Sequence, residues 1–182
     1  YRELSQGTQL GGEIGNSAIE LLKHEDDEVR AEGARLISTL SPREAGEPVT
    51  ESLVAETSPL AAAAILNAAA KWPGVAVISP ALRWLEFGAA TRDSASKLIL
   101  ALDDEGLLTA PADRRRVADA LRAAGPSRLT PDGVRLITRM GTDSDREAIA
   151  ALLESGQKRD LQHAAATELA RRPEFFDRII SA

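Results

Sequence analysis

Asp26-Asp27-Glu28-Val29-Arg30-Ala31-Glu32-Gly33-Ala34-Arg35-Leu36-Ile37 is the stretch that decides the fold. It opens on the acidic turn Glu25-Asp26-Asp27, and acidic side chains complement the positive end of a helix dipole. From Val29 to Leu40 the residues Val29, Ala34 (with Gly33 beside it), Ile37 and Leu40 recur at helical spacing, which predicts a helix with one apolar face. That face is built of small and aliphatic side chains, so a second helix can approach it closely.

Helix start and stop signals repeat along the chain. Ser17-Ala18-Ile19-Glu20 is a capping box, and Ile19 and Leu22 share a face behind it. Ser58-Pro59, Ser79-Pro80 and Thr130-Pro131 each set a capping residue before Pro at the first helical position, where a missing N–H costs nothing. Ser144-Asp145-Arg146-Glu147 is a second capping box. Gly88, Gly125, Gly141 and Gly156 follow apolar-periodic runs, where a left-handed residue ends a helix. Residues 1–15, with Gly7, Gly11, Gly12 and Gly15, read as a linker or loop, and 16–182 as one domain. Composition agrees: 32 Ala and 23 Leu stand against six aromatic residues, and Ala and Leu are the best helix formers. No alternating Val/Ile/Thr run with an Asn-Gly or Asp-Gly turn occurs, so the chain reads as all-α.

The helices fall into pairs on a period. Aligning Ser17, Pro48 and Pro80 superposes Leu22, Leu53 and Leu85 as buried first-helix positions at nearly equal intervals. Second helices then begin near residues 27, 58 and 91. A fourth pair is expected at 111–124 and 130–140, displaced by a solvated acidic loop at Asp103-Asp104-Glu105-Gly106. A fifth is expected at 144–154 and 158–172, and after Pro173 a short closing helix, Glu174–Ile180, carries Phe175, Phe176, Ile179 and Ile180. Helical hairpins every roughly 30–45 residues describe an α-solenoid, here of about five hairpins, because one hairpin cannot bury its apolar stripe alone. A globular bundle of unrelated helices is the competing reading.

The Asp26–Ile37 segment resembles a HEAT repeat, close to the bilin-lyase type of HEAT-like repeat, in which an acidic turn leads into Val-Arg with Ala and Leu behind. The resemblance covers about residues 16–172 in its period. The Asp/Val-Arg signature itself occurs once: Ser58-Pro59-Leu60, Thr91-Arg92-Asp93 and Lys158-Arg159-Asp160 stand at the corresponding places. The resemblance implies a right-handed α-α superhelix, with Asp27 and Arg30 in an inter-repeat ladder. It also implies a non-catalytic scaffold for a protein partner or an adjoining domain of the same chain. Second helices line the concave face of such stacks. Glu28, Glu32, Arg35 and Thr39 on the first, and Arg135 and Arg139 on the fourth, are therefore candidate protein-binding residues. HEAT-like repeats also build DNA-base glycosylases and bilin lyases, so an enzyme of that kind is the alternative.

Arg114-Arg115-Arg116 is the most unusual local feature and joins the candidate set. It follows Pro111 and Asp113 in the opening turns of a helix, where cations oppose the dipole by about 0.3–1 kcal/mol. Asp113 and Asp119, or an anionic partner, would offset this; a general preference for Arg over Lys, 18 to 4, also accounts for the triplet. Charge is uneven elsewhere too. The net charge is −6, yet residues 1–60 carry five basic and twelve acidic side chains, while 111–140 carry seven Arg and three Asp. An acidic chain argues against nucleic acid, where phosphate neutralisation supplies most of the affinity.

The absence of cysteine excludes disulfides, zinc knuckles and thiol chemistry. His24 and His163 stand apart without carboxylates at ligand spacing, and read as structural or solvated residues. Gly-x-Ser-x-Gly, Walker A and dinucleotide-binding patterns are absent, so no catalytic residue, cofactor or metal is expected. Trp72 and Trp84 are either core between repeats or a partner-binding surface. No run approaches eighteen apolar residues, so no membrane insertion is expected. The chain opens at Tyr1 rather than Met, which reads as a domain of a longer protein. A Cys-free chain suits cytoplasm or bacterial periplasm equally, and oligomeric state stays open.

Overall fold

A computed structural model describes residues 13–154 and 158–181. Among them every regular element is helical, as the sequence predicts: α1 (13–21), α2 (Asp27–Leu40), α3 (Gly46–Ala55), α4 (Pro59–Ala69), α5 (Ile78–Phe87) and α6 (Ala89–Asp104), then α7 (Pro111–Ala124), α8 (Pro131–Met140), α9 (Asp143–Glu154), α10 (Arg159–Leu169) and α11 (Phe176–Ser181). Single 3₁₀ turns precede α3, α5, α8 and α11. The chain divides into two compact units, the boundary falling between Leu107 and Leu108.

In the N-terminal unit α4 packs between α2 and α6, with α3 against α4 and α5 against α6. Alanine makes this possible. Ala61, Ala62, Ala64, Ala68 and Ala69 of α4 are buried with Ile65 and Leu66, leaving only a narrow strip of the helix outside. Facing α1, a Cβ built on Gly33 would stand 2.7 Å from the Leu21 Cβ and 3.0 Å from the Ala18 carbonyl, so this close approach requires glycine. Leu22, Leu53 and Leu85 are all buried. Leu40, expected in the apolar stripe, is instead exposed at the end of α2, where Ser41 takes the left-handed conformation at φ 51°.

In the C-terminal unit α8 packs on α7, α9 and α10, and α10 also on α9. Thr130 caps α8, accepting from the Gly133 amide at 3.4 Å, as its position before Pro131 predicts. Phe175 is buried in the turn before α11, but Ile180 on that closing helix is 85% exposed.

First helices α3, α5, α7, α9 and α11 start at Gly46, Ile78, Pro111, Asp143 and Phe176, an almost constant step. The expected displacement after the third pair does not occur. Asp103 and Asp104 are the last residues of α6 rather than a loop, and the chain leaves that helix at Gly106, φ 69°.

Five local expectations differ from the structure. Residues 1–12 of the expected 1–15 linker lie outside the described residues, but 13–15 are helical and Ser17 is interior, its hydroxyl donating to the Glu13 carbonyl instead of capping. Ser79 and Pro80 are the second and third residues of α5, which begins at Ile78. The capping box of α9 is shifted two positions from Ser144 and Glu147. Thr142 Oγ1 accepts from the Asp145 amide, and the Asp145 carboxylate accepts from the Thr142 amide at 2.7 Å. Gly88 and Gly125 have positive φ, but Gly141 is extended at φ −76° while its amide still donates to the Ile137 carbonyl; Gly156 lies outside the described residues.

Candidate functional site

The outward sides of α2 and α4 form a groove of about 390 Å³ lined by Arg35, Ser38 and Thr39 of α2 and Leu60, Ala63, Ala64 and Asn67 of α4. Alanine makes its floor. Leu60, 46% exposed, rises at one end because Ser58 and Pro59 start α4 one residue earlier. The Arg35 guanidinium lies 3.0 Å from Glu32, and the Thr39 hydroxyl donates to the Arg35 carbonyl at 3.0 Å. Asn67 Nδ2 donates to the Ala63 carbonyl and, at 2.8 Å, to Ser94 Oγ on α6.

Of the residues expected to bind a partner, Arg35 and Thr39 line this groove, while Glu28 and Glu32 are exposed on the same helix. Leu60, Ser38, Ala63, Ala64 and Asn67 were not foreseen. The signal for Asn67 is visible in retrospect, as the one polar side chain in the run Ala61–Ala70.

The C-terminal candidates belong to the other unit and mostly serve structure. Arg139, expected to face outward, reaches across to α10, its Nε and Nη2 on the two oxygens of Glu168 at 3.1 and 3.0 Å. Glu168 is only 4% exposed, so the geometry is that of a buried clasp. Arg135 pairs with Asp132 at 3.0 Å within α8. In the triplet, Arg114 donates to the Leu108 carbonyl at 3.3 Å, Arg116 lies 4.0 Å from Asp113, and Arg115 is exposed. The offset to the helix dipole thus includes Asp113, as the sequence suggests.

Two further clasps surround helix ends. Arg30 donates from Nε and Nη2 to Glu56 at 2.8 and 2.9 Å, and from Nη1 to the carbonyls of His24 and Glu25, tying the α1–α2 and α3–α4 turns to α2. Asp27 accepts from the Ser58 hydroxyl. Both residues therefore reach into the next helical pair, though their partners are Glu and Ser rather than an alternation of Asp and Arg. Burial pushes the Glu56 carboxyl up, but the Arg30 hydrogen bonds and the Ser58 and Thr57 amides outweigh it and hold the pKa below the ordinary value. Arg122 on α7 grips Asp145 at 2.7 Å through both Nε and Nη2. These bonds overcome burial and, with the Thr142 amide and hydroxyl, hold the Asp145 carboxyl well below the usual carboxylate range.

His24 and His163 are exposed; the His24 Nδ1 accepts from the Asp26 amide at 3.1 Å. No group of three His, Cys, Asp or Glu side chains is placed to hold a metal among the described residues. Trp84 is buried, with its ring 5.1 Å from that of Phe87, whereas Trp72 is half-buried against Gly46. No described helix is long and apolar enough to cross a membrane. Compared with known protein families, curated proteins and solved structures, the chain matches none.

Proposed function

We propose that the chain is a HEAT-like α-solenoid acting as a non-catalytic protein-interaction scaffold, and that a segment of a protein partner, or of an adjoining domain, lies along the outward face of its second helices. The observation that carries this reading is the groove between α2 and α4. It runs along two second helices, has a floor of small side chains that admits close approach, and offers one exposed apolar residue, Leu60, beside the polar Arg35, Ser38, Thr39 and Asn67. An apolar anchor within a polar rim is the usual composition of a protein interface. The near-constant step between first helices and the packing of α4 between α2 and α6 support the repeat architecture.

Affinity capture from native extract with the wild-type chain and with Leu60→Asp plus Arg35→Glu tests the reading. Both positions are exposed, so the melting curve should move little, by about 0.5 kcal/mol in stability. A partner retained by the wild type should be lost from the double variant. Equal recovery by both chains would remove this face.

A further inference from the structure

A recess of about 340 Å³ opens in the C-terminal unit where α8 and α10 end. Thr138 and Arg139 of α8, Glu168 of α10, and Arg171 and Arg172 in the following turn line it. Its base is the Arg139–Glu168 clasp, and the same carboxylate accepts from Arg171 Nη1 at 3.2 Å. Three guanidiniums thus face one carboxylate, so the lining among the described residues carries a net charge of +2. Arginines at other helix ends are engaged by the main chain. Arg30 donates to the carbonyls of His24 and Glu25, Arg83 across the end of α3 to those of Leu53 and Glu56 at 3.2 and 3.1 Å, and Arg146 to those of Thr138 and Gly141 at 3.0 and 2.8 Å. At the end of α10 the carbonyls of Ala166, Glu168 and Leu169 already accept from the amides of Ala170, Arg171 and Arg172. The Arg171 side chain makes one hydrogen bond, and that of Arg172 makes none among the described residues. Glu174, the ion-pair partner of Arg172, stands 4.0 Å away with its side chain 58% exposed.

We propose that this recess binds a phosphate monoester group, free or on a phosphorylated side chain, held by Arg171 and Arg172 over the Arg139–Glu168 base. A guanidinium presents five N–H donors in a planar fork that matches phosphate oxygens in pairs. Arg171 and Arg172 keep most of theirs, and the recess brings the two together. The charge selects the ligand. A phosphate monoester carries about −1.5 to −2 at neutral pH, whereas a carboxylate or a phosphodiester carries a single charge, so the monoester answers the lining most closely. Glu174 opposes it only weakly, because it pairs with Arg172 at long range on the solvent side. Helix C-termini also oppose an anion, through partial charges on unsatisfied carbonyls. Here those carbonyls are met, at α10 by the three amides and at α8 by Arg146 and the Gly141 amide. The recess shares no residue with the α2–α4 groove, so the two proposals stand or fall separately.

The test is a titration of the whole ¹⁵N-labelled chain with inorganic phosphate, with blocked phosphoserine and, at matched ionic strength, with acetate. Phosphate and phosphoserine should shift the amides of Thr138, Arg139, Glu168, Arg171 and Arg172 and saturate in the millimolar range, with acetate roughly tenfold weaker. Tighter binding of phosphoserine than of inorganic phosphate would assign the group to a side chain, and equal binding to a free anion. Arg171→Gln plus Arg172→Gln should weaken phosphate binding roughly tenfold while Tm stays within about 3 °C, because both side chains give up only surface ion pairs. Should that chain melt lower, Arg172→Gln alone removes no hydrogen bond among the described residues and should still weaken phosphate binding. No shift at tens of millimolar, acetate as effective as phosphate, or undiminished binding by the Arg172→Gln chain would overturn the proposal.

Discussion

Neighbouring second helices are joined differently in the two units. Between α4 and α6 the polar link is neutral: Asn67 donates to Ser94 at 2.8 Å. Between α8 and α10 it is the bidentate pair of Arg139 and buried Glu168. The N-terminal unit has its own charged clasp, Arg30–Glu56, but that one binds turns rather than the row of second helices. A close alanine junction is held by apolar burial that no titration alters, and its hydrogen bond adds about 1 kcal/mol. An Arg–carboxylate junction depends on both partners staying charged and present, because breaking one side leaves the other buried without compensation. The C-terminal unit should therefore be the more sensitive to substitution of a single charge in this row.

The largest effect expected from this contrast is at Arg139. Arg139→Leu should cost about 3 kcal/mol in denaturant unfolding, since among the described residues Glu168 then keeps only Arg171, at 3.2 Å, as a counter-charge. Adding Glu168→Leu should recover most of the loss; a double variant as unstable as the sum of the singles would mean the pair is not coupled.

Asp145 comes next. A carboxyl whose folded pKa is depressed contributes stability above its unfolded value, about 3.9 for Asp, and loses that contribution as pH falls towards the folded value. Wild-type stability should thus decline as pH drops from about 5 towards 2, and Asp145→Asn should flatten that decline. At neutral pH the same change should cost about 2 kcal/mol through loss of the Arg122 clasp and of the cap on α9. Unfolding curves of the two chains at several pH values check both statements; parallel pH dependences would contradict the assignment.

The smallest effect should be at the neutral junction. Asn67→Ala should cost about 1 kcal/mol, with no change in pH dependence. A loss as large as that of Arg139→Leu would erase the distinction between the units.

Much of the fold was legible because it rests on local rules. The Val29–Ile37 spacing specified a helix, Thr130-Pro131 specified the start of α8, and Leu22, Leu53 and Leu85 were recognisable as core by register alone. The errors arose where two local rules competed. Ser17 and Ser144 satisfy the capping pattern, yet a serine inside a helix can bond back to the preceding turn, and Thr142 had its own partner in Asp145. The acidic run at Asp103 has the composition of a loop, yet it continues the helical register of Leu98 and Leu102.

Of the candidate site, the sequence determined which residues sit on the outer side of α2, because helical periodicity alone separates Arg35 and Thr39 from the buried Ala34 and Ile37. It also determined the all-helical class. Only the tertiary structure decided that Arg139 turns inward to Glu168 while Arg35 stays at the surface, that Leu60 and Asn67 share a groove with Arg35, and that Arg83 lies on the carbonyls at the end of α3. Periodicity places a side chain on a face of its own helix, but the partner that a long charged side chain reaches is set by which residues another helix brings within about 3 Å.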